Sequence, residues 1–250
     1  MKRSLHLLFA TLVLSSTMAW SQAAPASQPK TPDAERMKAA ADVSFLLPSE
    51  PLPNIDLLKA QLKSYAHCTS TAGCYADEMK AQADRASLLL EMVVSGAMKG
   101  EKIALVLDID ETALSNMEHI EKDDYGYIPA DSHAWEMSAA APVLPATLEL
   151  YRHGQKLGVA VFFITGRGAE ERAATEKNLT AAGYADWKGL ALRTEGQYAS
   201  TVAYKSAERA KITAAGYRLV MNVGDQLSDL QGEPEAEISV KLPNPFYYIP

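Results

Sequence analysis

The residues best suited to chemistry in this sequence are acids placed just after apolar runs. Asp108 and Asp110 stand one residue apart directly after Ile103–Leu107, with Thr112 two residues further on. Thr165, Gly166 and Arg167 follow the run Val159–Ile164, and Asp225 and Asp229 follow Tyr217–Val223. Four carboxylates brought together would repel one another unless something positive sits among them. Their donor set is oxygen alone, without histidine or cysteine. That suits Mg²⁺, which takes about six oxygen ligands at roughly 2.0–2.1 Å and keeps several waters. Lys205 is the lysine that the pattern sets beside these loops.

Taken singly, each feature has an ordinary reading. A DxD can be a solvated turn, although Glu111-Thr112-Ala113 lacks the spaced oxygens and glycine of a calcium loop. Thr165-Gly166 can be a strand-to-helix turn, and Lys205 a solvated helix residue. Asp225 and Asp229 can be an N-cap and a first-turn acid. Jointly these readings are poor, because each feature falls after its own strand or at a helix start.

The elements that must position these residues are legible in outline. Ile103–Leu107, bounded by Glu101, Lys102 and Asp108, reads as a strand buried on both faces. Val159–Ile164, Tyr217–Val223 and Ile238–Leu242 read as further strands, and Leu190–Leu192 as a short one. Helices are expected from Leu144, over Ala169–Ala182, and over Val202–Ala215, which carries Lys205 and Arg209 one turn apart. Strands alternating with helices imply right-handed crossovers and a parallel sheet, whose ligand crevice lies beyond the strands' carboxyl ends.

Ahead of the central strand, Ile55–Ala66 and Tyr75–Met98 read as helices, the second with an apolar face at Tyr75, Met79, Ala86, Leu90, Val93 and Ala97. Residues 54–100 are expected to form an accessory helical domain beside a core at 101–250. The stretch Met117–Ala141, with Tyr125, Tyr127 and Trp135, lacks periodicity and reads either as a cap-like lid or as a surface excursion. The second hypothesis for its aromatics is a stacking wall for a substrate.

Lys2 and Arg3, the run Leu5–Leu14 and Ser21-Gln22-Ala23 read as a cleaved export signal over residues 1–23, with an uncleaved anchor as the lesser alternative. Residues 24–53 read as a tether rich in Pro, Ala, Ser and Gln, with a short helix at Asp33–Val43. The expected location is periplasmic or secreted, without stable membrane association. Two cysteines, Cys68 and Cys74, are expected to close a small disulfide loop worth about 2 kcal/mol. The net charge of −7 over 250 residues argues against nucleic acid as a partner. A small anionic substrate held by a local cation is still compatible. Oligomeric state leaves no mark in the sequence.

The set DxDxT at Asp108–Thr112, Thr165, Lys205 and GDxxxD at Gly224–Asp229 resembles the four motifs of haloacid dehalogenase (HAD) superfamily phosphatases. The longer strings VLDIDETALSN, FFITGR, YKSAER, NVGDQLSD and KLPNPFYYIP resemble the class B and class C acid phosphatase-like branch, which includes plant vegetative storage proteins. The likeness runs from about Leu52 onward. It implies a Rossmann-like α/β fold with a parallel sheet flanked by helices.

Several roles follow from the resemblance. Asp108 would be the nucleophile that forms an aspartyl-phosphate, and Asp110 the general acid and base. Thr165 and Lys205 would hold the phosphoryl group. Asp108, Asp110 through its carbonyl, Asp225 and Asp229 would bind Mg²⁺. Thr112, Gly166, Arg167, Tyr125, Tyr127 and Trp135 are the expected substrate contacts. The expected substrate is a small phosphomonoester, with 5′-nucleotides as one candidate. A phosphotransferase using the same intermediate, or a storage or binding protein on the same fold, are the alternatives.

Overall fold

In a computed structural model of the chain, residues 54–68 and 73–250 are described. The expectations for the export signal, the tether and the helix Asp33–Val43 lie outside the described residues. Two helices come first, α1 (Ile55–His67) and α2 (Tyr75–Ser95), and then strand β1 (Ile103–Leu107). Helices α3 (Met117–Lys122), α4 (Pro129–Ser138) and α5 (Pro145–Lys156) lead to β2 (Ala160–Gly168). After a 3₁₀ turn (Ala169–Glu171) come α6 (Arg172–Ala181), β3 (Gly189–Arg193), α7 (Thr201–Ala214), β4 (Arg218–Gly224), α8 (Leu227–Leu230) and β5 (Ile238–Lys241).

The five strands form one parallel sheet in the order β3-β2-β1-β4-β5. β1 is central, and this explains why its sequence is apolar without alternation. Leu105 and Leu107 face a core shared with Met79, Leu90 and Tyr151, while Ala104 and Val106 face one built from Ile164, Tyr204 and Ile212. Each such leucine contributes roughly 1.5–3 kcal/mol by burial. Strands are added outward on one side of β1 and then on the other, so a switch point falls between β1 and β4, where such sheets bind ligands.

Register brings the strand ends to one level. Leu107 pairs with Phe163 on β2 and with Val223 on β4. Asp108 follows Leu107 directly, and its N–H donates to the Val223 carbonyl at 3.0 Å. Thr165 and Asp225 each lie two residues beyond the partner of Leu107. The sheet edge therefore gathers all three.

The helices correct two expectations. The buried face of α2, with Tyr75, Met79, Ala83, Ala86 and Leu90, belongs to the same core as Leu105 and Leu107. α2 is thus a layer of the main fold and not part of a separate accessory domain over 54–100. α1 has no buried residue, and it reaches the segment after β1 by ion pairs of Lys63 with Glu121 at 3.3 Å and of Lys59 with Asp124, and by a hydrogen bond between His67 and Glu121. Met117–Ala141, read as aperiodic, holds α3 and α4; α4 buries none of its residues fully and so carries no apolar stripe to detect.

Cys68 and Cys74 are disulfide-bonded with their Cα atoms 5.6 Å apart, which ties the end of α1 to the start of α2. Among the described residues, no helix is long and apolar enough to cross a membrane.

Candidate active site

Helix α7 delivers the central cation. Ser200 caps it, its hydroxyl accepting from the Ala203 N–H at 3.1 Å, and Tyr204 and Ile212 fasten it to the sheet. Lys205 is buried and its Nζ donates to Asp108 Oδ1 and, at 2.7 Å, to the Ile164 carbonyl. The same Nζ lies 2.7 Å from Asp229 Oδ1. Burial alone would depress this lysine, but Asp108 and Asp229 override it and raise its proton affinity, so it is held as a cation.

The acids around it outnumber it. Burial pushes Asp108 up; Lys205 opposes this, while Asp229, Asp225 and Asp110 add to it. Asp225 is pushed up to about 6 by burial and by Asp229. Carboxylate oxygens of Asp108, Asp225 and Asp229, all buried, lie within 4.8 Å of one another. Three buried hard-oxygen donors facing one ammonium fit a divalent cation such as Mg²⁺ in donor type and in charge. Asp229 is engaged at both oxygens, since Oδ1 faces the Lys205 ammonium and Oδ2 accepts from the Gln226 N–H at 2.8 Å. Gly224 permits this approach: a Cβ there would stand 2.5 Å from Asp229 Cβ and 2.7 Å from its Cγ.

Asp110 sits in a different environment. Arg167 donates from Nη2 to Oδ1 at 2.7 Å and from Nε to both oxygens at 3.1 and 3.2 Å. Asn116 Nδ2 donates to Oδ1 at 2.9 Å and Thr165 Oγ1 to Oδ2 at 3.3 Å. Burial pushes this carboxyl up, but the arginine and these donors outweigh it and hold Asp110 below the usual carboxylate range. At rest, the residue expected to be the general acid is an anion.

Directly after Asp110 stands Glu111, fully buried, with a backbone φ of 51° in the left-handed region. Its oxygens accept from the Asn116 N–H at 2.5 Å, Asn116 Nδ2 at 3.1 Å and the Tyr247 hydroxyl at 2.8 Å. Burial pushes it up to about 8 in spite of these donors, with Asp225 and Asp110 adding to the rise.

These groups line a cavity of about 950 Å³, whose walls include Tyr125, Tyr127, Gly166 and Arg167. Tyr127 is exposed and free to meet a ligand. Thr112 departs from its expected role as a substrate contact: it is fully buried and its Oγ1 donates to Asp225 Oδ1 at 3.1 Å. Trp135 stands behind the wall, stacked on His119 with centroids 5.8 Å apart, and its Nε1 donates to Asn116 Oδ1 at 2.8 Å. The guanidinium of Arg167 is taken up largely by Asp110.

The model of the HAD superfamily, subfamily IIIB (acid phosphatase), matches residues 37–250. The chain belongs to this family. It is 40% identical to acid phosphatase 1 of Solanum lycopersicum over 148 residues, which cover 58% of this chain and 58% of that protein. It is 35% identical to vegetative storage protein 1 of Arabidopsis thaliana over 159 residues, 62% of this chain and 58% of the relative. The chain thus spans under two thirds of the length of these relatives. Among solved structures, a class C acid phosphatase from Bacillus anthracis superposes with a TM-score of 0.57 at 26% identity, covering 68% of this chain and 80% of that one. A structure of the Bacillus anthracis enzyme with tungstate bound gives 0.63 at 21% identity, covering 76% and 85%, a likeness of fold.

Within this HAD subfamily member, several site residues had no role in the sequence reading. Arg209, one turn beyond Lys205, is fully buried and donates to the carbonyls of Asp229, Gln231, Gly232 and Pro234 at 2.6–2.9 Å. It clamps α8, which carries Asp229, to the segment that follows it. Its signal was the spacing from Lys205, which puts both on one helical face. Glu136 on α4 shares a hydrogen bond with Glu171, which also pairs with His133 Nδ1 at 2.7 Å. Asn244 Nδ2 donates to Asp225 Oδ2 at 2.7 Å. Only the string KLPNPFYYIP hinted at the last of these.

Proposed function

We propose that this chain is an exported, Mg²⁺-dependent acid phosphatase that hydrolyses small phosphomonoesters through an aspartyl-phosphate on Asp108. The observation that carries the reading is Lys205 Nζ between Asp108 and Asp229 at the carboxyl edge of a parallel sheet, with Asp110 held apart by Arg167. That divides two neighbouring carboxylates into two jobs, as acid–base and nucleophilic catalysis require.

In this reading an Asp108 oxygen attacks phosphorus while the bond from phosphorus to the ester oxygen breaks. The proton of Asp110 passes to the departing alcohol. Water then attacks phosphorus and gives its proton to Asp110; the bond to Asp108 breaks and inorganic phosphate leaves. Thr165 and Lys205 stabilise the charge on the phosphoryl oxygens. Because Asp110 rests as an anion, it must gain a proton first. An incoming phosphate brings negative charge beside it and raises its proton affinity, and an acid medium supplies the proton.

Asp108 and Asp225 would hold Mg²⁺ with the Asp110 carbonyl, and Asp229, which faces the Lys205 ammonium, would bind directly or through water. A bound Mg²⁺ supplies the charge that lets an anionic carboxylate approach an anionic ester. The related enzyme with tungstate, a tetrahedral oxyanion like phosphate, supports extending such a site to this chain. Tyr125 and Tyr127 offer flat faces to an aryl or nucleoside leaving group.

The test is phosphate release from p-nitrophenyl phosphate across acid and neutral pH, with and without EDTA, by the wild type and by Asp108→Asn. The variant should fold and lose at least ~10³-fold in turnover. Near-normal hydrolysis by Asp108→Asn would refute the assigned nucleophile. Product analysis with excess alcohol separates hydrolysis from phosphotransfer.

A further inference from the structure

Asn244 is enclosed by Pro243 and Pro245, whose rings fix φ on both sides of it, and Pro245 disfavours helical backbone at Asn244. Its Oδ1 accepts from the Phe246 N–H at 2.9 Å, a local turn that leaves Nδ2 pointing at Asp225 Oδ2, 2.7 Å away. Gln226 Nε2 reaches the same oxygen at 2.7 Å and Thr112 reaches the other. Every one of these donors is neutral. They orient Asp225 without cancelling the charge that a cation would use.

Three residues on, the segment touches the other acid through a relay. The Tyr247 hydroxyl donates to Glu111 Oε2 at 2.8 Å; Glu111 accepts both nitrogens of Asn116; and Asn116 Nδ2 donates to Asp110 Oδ1 at 2.9 Å. Between the two arms Phe246 is buried against Tyr75 and Tyr65, with centroids 5.2 and 6.2 Å apart. Beyond Tyr247, the Ile249 N–H donates to Gln226 Oε1 at 3.0 Å and its carbonyl accepts from Ser228 Oγ at 3.2 Å. The segment is anchored at its middle and at its far side.

We propose that Asn244–Tyr247 is a two-armed positioning element: Asn244 orients Asp225 for the cation, and Tyr247, through Glu111 and Asn116, orients Asp110 for proton transfer. The inference rests on the roles given above to Asp225 and Asp110. It assigns work to residues that touch no reacting atom. Residues that orient ligands in this way typically change metal affinity or activity 10–100-fold when lost.

The two arms predict separable effects in the full chain. Asn244→Ala should weaken Mg²⁺ binding, measured by titration calorimetry with the metal alone, about tenfold or more. Should that variant fold poorly, Asn244→Ser carries the same expectation, since its hydroxyl can still close the local turn but cannot reach Asp225. Tyr247→Phe keeps the ring and loses one hydroxyl. It should lower kcat about tenfold, with KM for p-nitrophenyl phosphate and the calorimetric Mg²⁺ affinity within about twofold of wild type. Its effect should shrink in an Asn116→Ala background, where the relay is already cut.

Unchanged Mg²⁺ affinity in both Asn244 variants overturns the first arm. Wild-type kcat in Tyr247→Phe, or full additivity with Asn116→Ala, overturns the second. A uniform loss in both readouts for both residues marks a merely structural segment and overturns the proposal. A wild-type chain that releases no phosphate would instead refute the proposed function, and the calorimetric arm would still report on Asn244.

Discussion

Arg167 grips Asp110 with two of its nitrogens, Nη2 at 2.7 Å from Oδ1 and Nε within 3.2 Å of both oxygens, and both guanidinium and carboxylate are largely withdrawn from water. A paired, fork-shaped contact of this kind is among the stronger hydrogen-bonding arrangements in proteins. It keeps the proton off Asp110 against the opposing effect of burial.

Arg167→Gln should therefore raise the Asp110 pKa, because burial is then unopposed by the guanidinium. If Asp110 must carry a proton to begin the reaction, the alkaline limb of the kcat/KM profile moves to higher pH. The maximum itself should fall by ~10–100-fold, since the carboxyl loses its orientation. A pH–rate profile of the variant measures both, and an unmoved alkaline limb would exclude Asp110 as the titrating acid.

Lys205→Met leaves Asp108 and Asp229 buried without their ammonium. Breaking a buried pair by removing one partner costs about 3–5 kcal/mol, because the remaining charge is uncompensated. Chemical unfolding in EDTA should show that loss. Added Mg²⁺ should recover part of it, whereas a lysine that only packed against its neighbours would give a metal-independent loss.

Much of this arrangement was legible because it is local. Ile103–Leu107 is apolar at every position, and only a central strand with both faces covered explains such a run. The acids that follow it inherit their place from the register. What escaped the sequence reading depends on contacts between distant segments. Glu111 looks like a spacer between Asp110 and Thr112 until Tyr247 is seen to bond it from 136 residues away. Thr112 was expected at the substrate, yet its partner Asp225 lies 113 residues off; Arg167 does line the cavity, but its hold on Asp110, 57 residues away, is not readable locally. α4 was invisible for another reason: without a fully buried side it leaves no period in the sequence.

Glu136 gives a stability prediction. Burial, Asp110 and the hydrogen bond with Glu171 push it up to about 9, against an ordinary value of 4.5. The folded state therefore binds a proton that the unfolded state has released between those values. The stabilisation is complete below the unfolded value and is lost as pH rises toward 9. Melting temperature in EDTA should fall over that window. Glu136→Gln, which can still donate to Glu171 but cannot ionise, should match wild type near the acid end and exceed it at the alkaline end. Parallel curves for the two proteins would refute this account.

Trp135 tests what the insertion contributes. Its Nε1 holds Asn116 Oδ1 at 2.8 Å, and the other end of that amide holds Asp110. Its ring stacks on His119, behind the cavity wall that Tyr125 and Tyr127 form. Trp135→Phe keeps most of the stack and removes the donor. The expected result is a severalfold lower kcat, in line with one lost hydrogen bond of about 1 kcal/mol, with the same order of preference among alkyl, aryl and nucleoside phosphates. Tyr127→Ala should do the reverse, changing that order with little effect on the best simple substrate. If Trp135→Phe altered preference and left kcat intact, the tryptophan would belong to the substrate wall after all.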